Sequence, residues 1–210
     1  MRWFTRFLKD GVRQRMDVGP VKRLICRLCY TDDPGCGIYC DAMAQRLLWK
    51  SSWKTGLSVG LSPFGMGRMM SLCLAKFFGA WLLDYAPNDT ANETGLDRFI
   101  CSSKTTAFIG RNAAEQERAN GPARNLAKFG VAALDARALG YEPVWHDGVV
   151  VGFCRSGRLS HHSGKSTAPG YPLCLANDGL MVAIEILGKR RPARLITHPP
   201  FDADGARVRG

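Results

Sequence analysis

Histidine is scarce, with four residues in 210, and no Gly-x-Gly-x-x-Gly fingerprint, internal repeat or low-complexity tract occurs. Few histidines leave few proton shuttles and metal ligands. Without the fingerprint, this sequence encodes no dinucleotide-binding unit. Long apolar runs are missing too. The most apolar stretch, PFGMGRMMSLCLAKFFGAWLLDY, is cut by Arg68 and Lys76 before it reaches the about 20 residues that span a bilayer. It reads as a buried amphipathic helix from about Pro63 to Leu83, not a transmembrane segment. Acidic residues are outnumbered by basic ones, 18 to 29, for a net charge of +11. Such a balance favours anionic partners, but Lys and Arg gather before Cys26 and after Gly188 without aromatic alternation. A solvated basic surface is expected, with no specific nucleic-acid footprint.

What the chain has is 46% hydrophobic residues, enough to bury a core and to exclude a disordered polypeptide. The opening MRWFTRFLKDGVRQRM sets Trp3, Phe4, Phe7 and Leu8 at helical spacing among arginines, as in a membrane-surface or transit helix, with Gly11 weakening it. It has no apolar core of signal-peptide length, so the cysteines are expected as reduced thiols in a cytoplasmic setting. VKRLICRLCY (21–30) predicts a strand, TDDPG a turn, and Ile38-Tyr39 a return. Asp41 is placed to cap a helix through Met43, Leu47 and Leu48 that Gly56 ends. DYAPNDTANETG reads as a loop, and GRNAAEQERANGP as a short helix closed by Gly121 and Pro122. Asp147-Gly148 marks a tight hairpin. Leu180, Val182, Ile184 and Ile186 share one face of a strand that turns at Gly188-Lys189 into ARLIT. The last hundred residues predict a small β-barrel or sandwich.

Cys26, Cys29, Cys36 and Cys40 fall within fifteen positions. Zinc would need its thiolates about 2.3 Å from one point, yet Arg27 and Leu28 supply no tight turn, and strand positions three apart face opposite ways. The reading is strand and turn, with no metal. SGRLSHHSGKST ends like a phosphate loop, but Leu159 stands where that loop needs Gly and Pro169 blocks the following helix. His161 and His162 have no third ligand nearby and read as polar lining. None of the four histidines has a nucleophile partner in the sequence, so no catalytic residue is assigned.

Whole phrases in order, LCYTDDPGCGIYC, MMSLCLAKFFGAW, ETGLDRFI, AFIGRNAAEQERANGPAR, YEPVWHDGVVVGFCRSG, LSHHSGKSTAPGY and IEILGKRRPARLITHPPFD, resemble one family. They are similar to the C-terminal folate-binding part of FAD-dependent dimethylglycine and sarcosine dehydrogenases, itself similar to the aminomethyltransferase T-protein of glycine cleavage. The resemblance implies an α+β fold, the second half of an aminomethyltransferase-type folate-binding domain followed by a C-terminal β-barrel. Residues 1–20 would be a basic N-terminal segment, 21–100 the partial folate domain and 101–210 the barrel. It also implies oxidative N-demethylation coupled to tetrahydrofolate, with FAD only in full-length relatives and the family's catalytic aspartate outside this sequence.

Two anchors depart from the pattern. The family phrase behind the cysteine cluster is like SYTGELGYEIY, in which a glutamate accepts two pterin N–H groups. Here that position is Gly37, the neighbouring aromatic is Cys36 and the serine before the tyrosine is Cys29. Tyr30 remains as a folate-side contact. Where the family reads like SLRLEK, its arginine is replaced by Cys73, followed by Ala75. Each charged hydrogen bond contributes about 1.5–3 kcal/mol, or roughly ten- to a hundred-fold in affinity. The resemblance therefore implies a retained fold with impaired folate binding, a fragment inactive alone that self-associates or joins a flavin-containing subunit. A non-catalytic binding or scaffolding module and a degraded reading frame are the alternatives.

Overall fold

The computed structural model describes residues 13–31, 33–133, 135–160, 164–173 and 177–209. The aromatic positions Trp3 to Leu8 and the pair His161 and His162 lie outside the described residues. Arg13–Val18 forms strand β1 and not the tail of an N-terminal helix. The reason is pairing: β1 runs antiparallel to β2 (Val21–Arg27) from Val18↔Val21 to Arg13↔Cys26, around a turn with Gly19 at φ 60°. β3 (Cys36–Tyr39) adds to the other side of β2, with Cys26 opposite Gly37, and completes a three-stranded sheet.

After β3 the helix starts through a 3₁₀ turn at Ala42–Ala44 and continues as α1 (Gln45–Gly56). Asp41 precedes the turn in extended conformation, but its side chain makes no capping bond. The second helix, α2 (Met66–Ala75), is half the predicted length. It stops because Phe77 takes the left-handed conformation (φ 62°), so that Phe78 N–H donates to the Cys73 carbonyl at 2.9 Å and Phe77 N–H to that of Leu74 at 3.1 Å. This is a Schellman closure with phenylalanine where glycine is usual. α2 does bury one face, carrying Met70, Ser71, Cys73, Leu74 and Ala75. Among the described residues no helix is long and apolar enough to cross a membrane.

Turns over residues 80–97 lead to α3 (Arg111–Asn120), then to β4 (Ala127–Val131), β5 (Pro143–His146), β6 (Val149–Cys154), β7 (Arg158–Ser160), β8 (Lys165–Pro172), β9 (Met181–Ile186) and β10 (Lys189–Leu195). A short α4 (Ala206–Arg209) follows. The strand order β4-β10-β9-β5-β6-β8 closes when β8 pairs back onto β4, giving a six-stranded barrel on which β7 lies alongside β8. The predicted hairpins appear as read. Asp147 and Gly148 take φ 49° and 79°, the pair of positive values a type I′ turn requires. Val182, Ile184 and Ile186 point inward with Phe129, Val131, Val144 and Leu195 to form the main hydrophobic core. The α+β class with a terminal β-barrel is what the structure has. Lys165 and Ser166 open strand β8, so SGKST is not a phosphate loop.

Candidate functional site

β2 ends at Arg27, and the chain crosses the TDDPG turn before returning as β3. This route sets the Tyr30 backbone against α2, where the Cys73 thiol donates to the Tyr30 carbonyl at 2.9 Å. Cys73 is fully buried. Burial, with smaller contributions from Cys29 and Asp84, pushes its thiol up to about 12, so it is a neutral donor at physiological pH. The Tyr30 side chain is 40% exposed. Its hydroxyl is raised from the ordinary tyrosine value, first by burial and then by Cys73, Asp84 and Tyr85. Two of the three positions singled out in the sequence are thus brought together. The third, Gly37, lies on β3 opposite Cys26, and the space a side chain would need there is bordered by the Tyr39 ring at 3.3 Å.

Cys26, Cys29, Cys36 and Cys40 are partly buried thiols that form no disulfide among the described residues. Among the described residues no three His, Cys, Asp or Glu side chains are placed to share a metal ion. Gly56-Leu57-Ser58-Val59-Gly60 has the Gly-x-Ser-x-Gly spelling of a nucleophile elbow, a match the sequence reading overlooked. It lies at the end of α1, not between a strand and a helix, and Ser58 Oγ donates to the Thr55 carbonyl at 3.0 Å.

Sequence reasoning also missed a polar cluster where residues 80–97 meet the barrel. The Asp84 side chain is fully buried; it accepts from the Ala80 N–H at 2.8 Å and from Ser156 Oγ at 2.6 Å, while its carbonyl accepts from the Tyr171 hydroxyl at 3.0 Å. Asp89 accepts from Arg124 at 3.0 Å and from Arg155 at 2.9 Å. Both guanidiniums lie over the Tyr171 ring, 5.0 and 5.1 Å from its centroid. Arg124 also pairs with Glu93 at 3.0 Å, the leading reason its pKa is raised. These carboxylates are committed to donors within the fold, so the cluster clasps loop to barrel and does not serve as an acid–base pair. Apart from the local Ala80–Asp84 bond, its partners stand 31 to 87 positions apart, a separation at which no local motif signals it.

Two cavities flank β3 beyond Gly37. One, of about 620 Å³, is bordered by Arg15, Asp17, Arg23, Tyr39 and Asp41. The other, of about 940 Å³, is mostly apolar and bordered by Ile38, Tyr39, Leu48, Trp49 and Leu61.

Residues 9–104 match the family model described as GCVT N-terminal domain, and residues 124–202 that of the glycine cleavage T-protein C-terminal barrel domain. The chain is 34% identical over 174 residues to mitochondrial dimethylglycine dehydrogenase of Homo sapiens, covering 82% of this chain and 20% of that protein. It is 33% identical over 181 residues to the aminomethyltransferase of Prochlorococcus marinus (strain MIT 9303), covering 86% of this chain and 47% of that one. Over 194 residues it is 30% identical to mitochondrial sarcosine dehydrogenase of Mus musculus, covering 88% and 21%. It thus spans about a fifth of the dehydrogenases' length and about half of the aminomethyltransferase. The crystal structure of glycine cleavage system aminomethyltransferase T from Bartonella henselae superposes with a TM-score of 0.80 at 20% identity, over 94% of this chain and 54% of that one. That likeness is one of fold.

Proposed function

The chain belongs to the glycine cleavage T-protein (aminomethyltransferase) family, and on that premise we propose that it represents the latter part of a folate-binding aminomethyltransferase domain. We propose the dimethylglycine and sarcosine dehydrogenase type, retained as a fold and inactive on its own. The observation carrying this reading is the Cys73 thiol, which stands where the resemblance implies a guanidinium and is spent on the Tyr30 carbonyl. Gly37 supplies no carboxylate. The residues present do not fit tetrahydrofolate, so no chemical step is derived through it. Tyr30, half-exposed beside this pair, is the one side chain proposed for residual contact with a pterin. FAD enters only through a flavin-containing partner. A reducing compartment such as the cytoplasm is part of the same proposal.

Calorimetric titration of the full reduced chain with tetrahydrofolate tests the reading. The expected outcome is no saturable heat; a stoichiometric micromolar complex contradicts it.

One observation favours a second reading, a non-catalytic binding module. α1 buries none of its residues, and Met43, Trp49 and Val59 beside or on it are more than half exposed, an apolar surface that calls for a partner or a second copy. Size-exclusion chromatography with light scattering is expected to show association, and a monomer at high concentration counts against it.

A further inference from the structure

Residues 42–83 contain no aspartate or glutamate, and Asp41 and Asp84 bound the stretch. Within it Arg46, Lys50 and Lys54 follow one another at four-residue spacing along α1, and Arg68 stands in the first turn of α2. All four are exposed, and none is paired with a carboxylate among the described residues. On the neighbouring row of α1, Trp49 and Trp53 stack with ring centroids 5.5 Å apart. A row of cations alone is an ordinary solvated face; a row of cations beside stacked tryptophans is not.

The apolar surface continues past the helix. Every residue from Leu57 to Arg68 is exposed, and Leu57, Val59, Phe64 and Met66 are between 55% and 83% exposed. Nothing lies within 4 Å of where a Cβ would stand on Gly60, Gly65 or Gly67, so the segment projects from the lobe. It is tied back where the Leu61 N–H donates to the Gly56 carbonyl at 2.9 Å. There Leu61 joins Ile38, Tyr39, Leu48 and Trp49 around the cavity of about 940 Å³, whose only charge among the described residues is Arg46.

One sign of charge around an exposed apolar face selects an anionic partner, and a projecting surface suits a partner that yields around it. Tryptophan beside cations is the arrangement that settles between acyl chains and headgroups, ring inward and indole N–H among the polar groups. We propose that α1 and residues 57–68 form a docking surface for an anionic lipid bilayer, Val59, Phe64 and Met66 entering the acyl boundary and Arg46, Lys50, Lys54 and Arg68 meeting the lipid phosphates. The contact is peripheral, since no described helix is long and apolar enough to cross a membrane. It rests on the binding-module reading above and gives that module its partner; the Tyr30–Cys73 pair plays no part in it.

Co-sedimentation of the full chain with vesicles of phosphatidylcholine and phosphatidylglycerol in equal parts tests this, with pure phosphatidylcholine vesicles as the reference. Binding to the anionic vesicles is expected to be tighter by roughly tenfold or more, with a blue shift of tryptophan emission that Trp49→Phe diminishes. Lys50→Glu combined with Lys54→Glu should weaken it by roughly tenfold or more. Lys104→Glu combined with Lys189→Glu makes the same change of charge at exposed sites elsewhere and should leave binding within about twofold. Val59→Ser combined with Phe64→Ser should weaken it by roughly tenfold, a loss that mere adsorption of a basic chain does not show. Thermal unfolding like that of the unsubstituted chain identifies the folded variants. No vesicle binding, equal loss from both charge reversals, or full binding by a folded Val59→Ser, Phe64→Ser variant would each overturn the assignment. A chain that self-associates in solution and sediments with neither vesicle loses the lipid partner but remains a binding module; a monomer that sediments with neither loses both.

Discussion

The barrel and the three-stranded sheet are both antiparallel, yet they solve the burial problem differently. In the barrel, Phe129, Val144 and Ile184 are completely enclosed within a core that counts thirteen buried residues among those described. In residues 13–61 only Arg23 and Ile25 among the described residues are buried, while Leu28, Ile38, Tyr39 and Trp49 are well exposed. The barrel carries its own core and its own hydrogen-bond closure. The front sheet and α1 have an architecture whose apolar surface is left for something else to cover. A family fold can therefore keep one lobe self-sufficient while the other becomes tolerant of substitution, and the departures at Cys29, Cys36 and Gly37 fall on the tolerant side.

The contrast is sharpest if each lobe is cut in turn. Phe129→Ala is expected to destabilise by about 3–5 kcal/mol, read from urea denaturation; a loss below that of a surface change would deny the barrel its central place. Asp89→Asn breaks the clasp between the lobes and should cost about 3 kcal/mol, because Arg124 and Arg155 lose a shared carboxylate. The same denaturation series checks it, and Asp97→Asn on an exposed carboxylate serves as the control. Cys73→Ala removes the bond to the Tyr30 carbonyl and should cost about 1–2 kcal/mol, a middling value that would identify the thiol as part of the fold.

The buried thiols also set an alkaline limit. Burial raises Cys73 and Cys154 to about 12 from an ordinary 9.0, so an unfolded chain releases these protons first. Their share of stability is complete below about pH 9 and falls as pH climbs toward 12. Denaturation midpoints across that range should decline, and a flat profile would contradict the burial. At neutral pH, alkylation should reach Cys101 first, because Ser103 hydrogen-bonds its exposed thiol and lowers it. Smallest of all, Met43→Ala, at a side chain 95% exposed, should change stability by no more than about 0.5 kcal/mol.

Much of this architecture was legible in the residues. Asp147-Gly148 announced its turn because few residues tolerate two successive positive φ values. Val182, Ile184 and Ile186 announced a buried strand face by period alone. The end of α2 was not legible, since Phe77 carries the left-handed conformation that a glycine would have signalled. β1 was misread because its partner strand, rather than any alternation of its own, holds RQRMDV extended. At the candidate site, Tyr30 and Cys73 could be chosen from the phrases around them, but not that one would donate to the other. Asp84, Asp89 and Glu93 looked like loop polarity because their partners are assembled only by tertiary folding.

The pairing of β8 with β4 turns a row of strands into a hoop. A hoop has no margin at which a stray polypeptide can zip on, unlike the sheet ending in β1 and β3. Through mutation or rearrangement beside it, such a unit keeps its closure. It can outlast a chemistry it once framed and remain sound material for another.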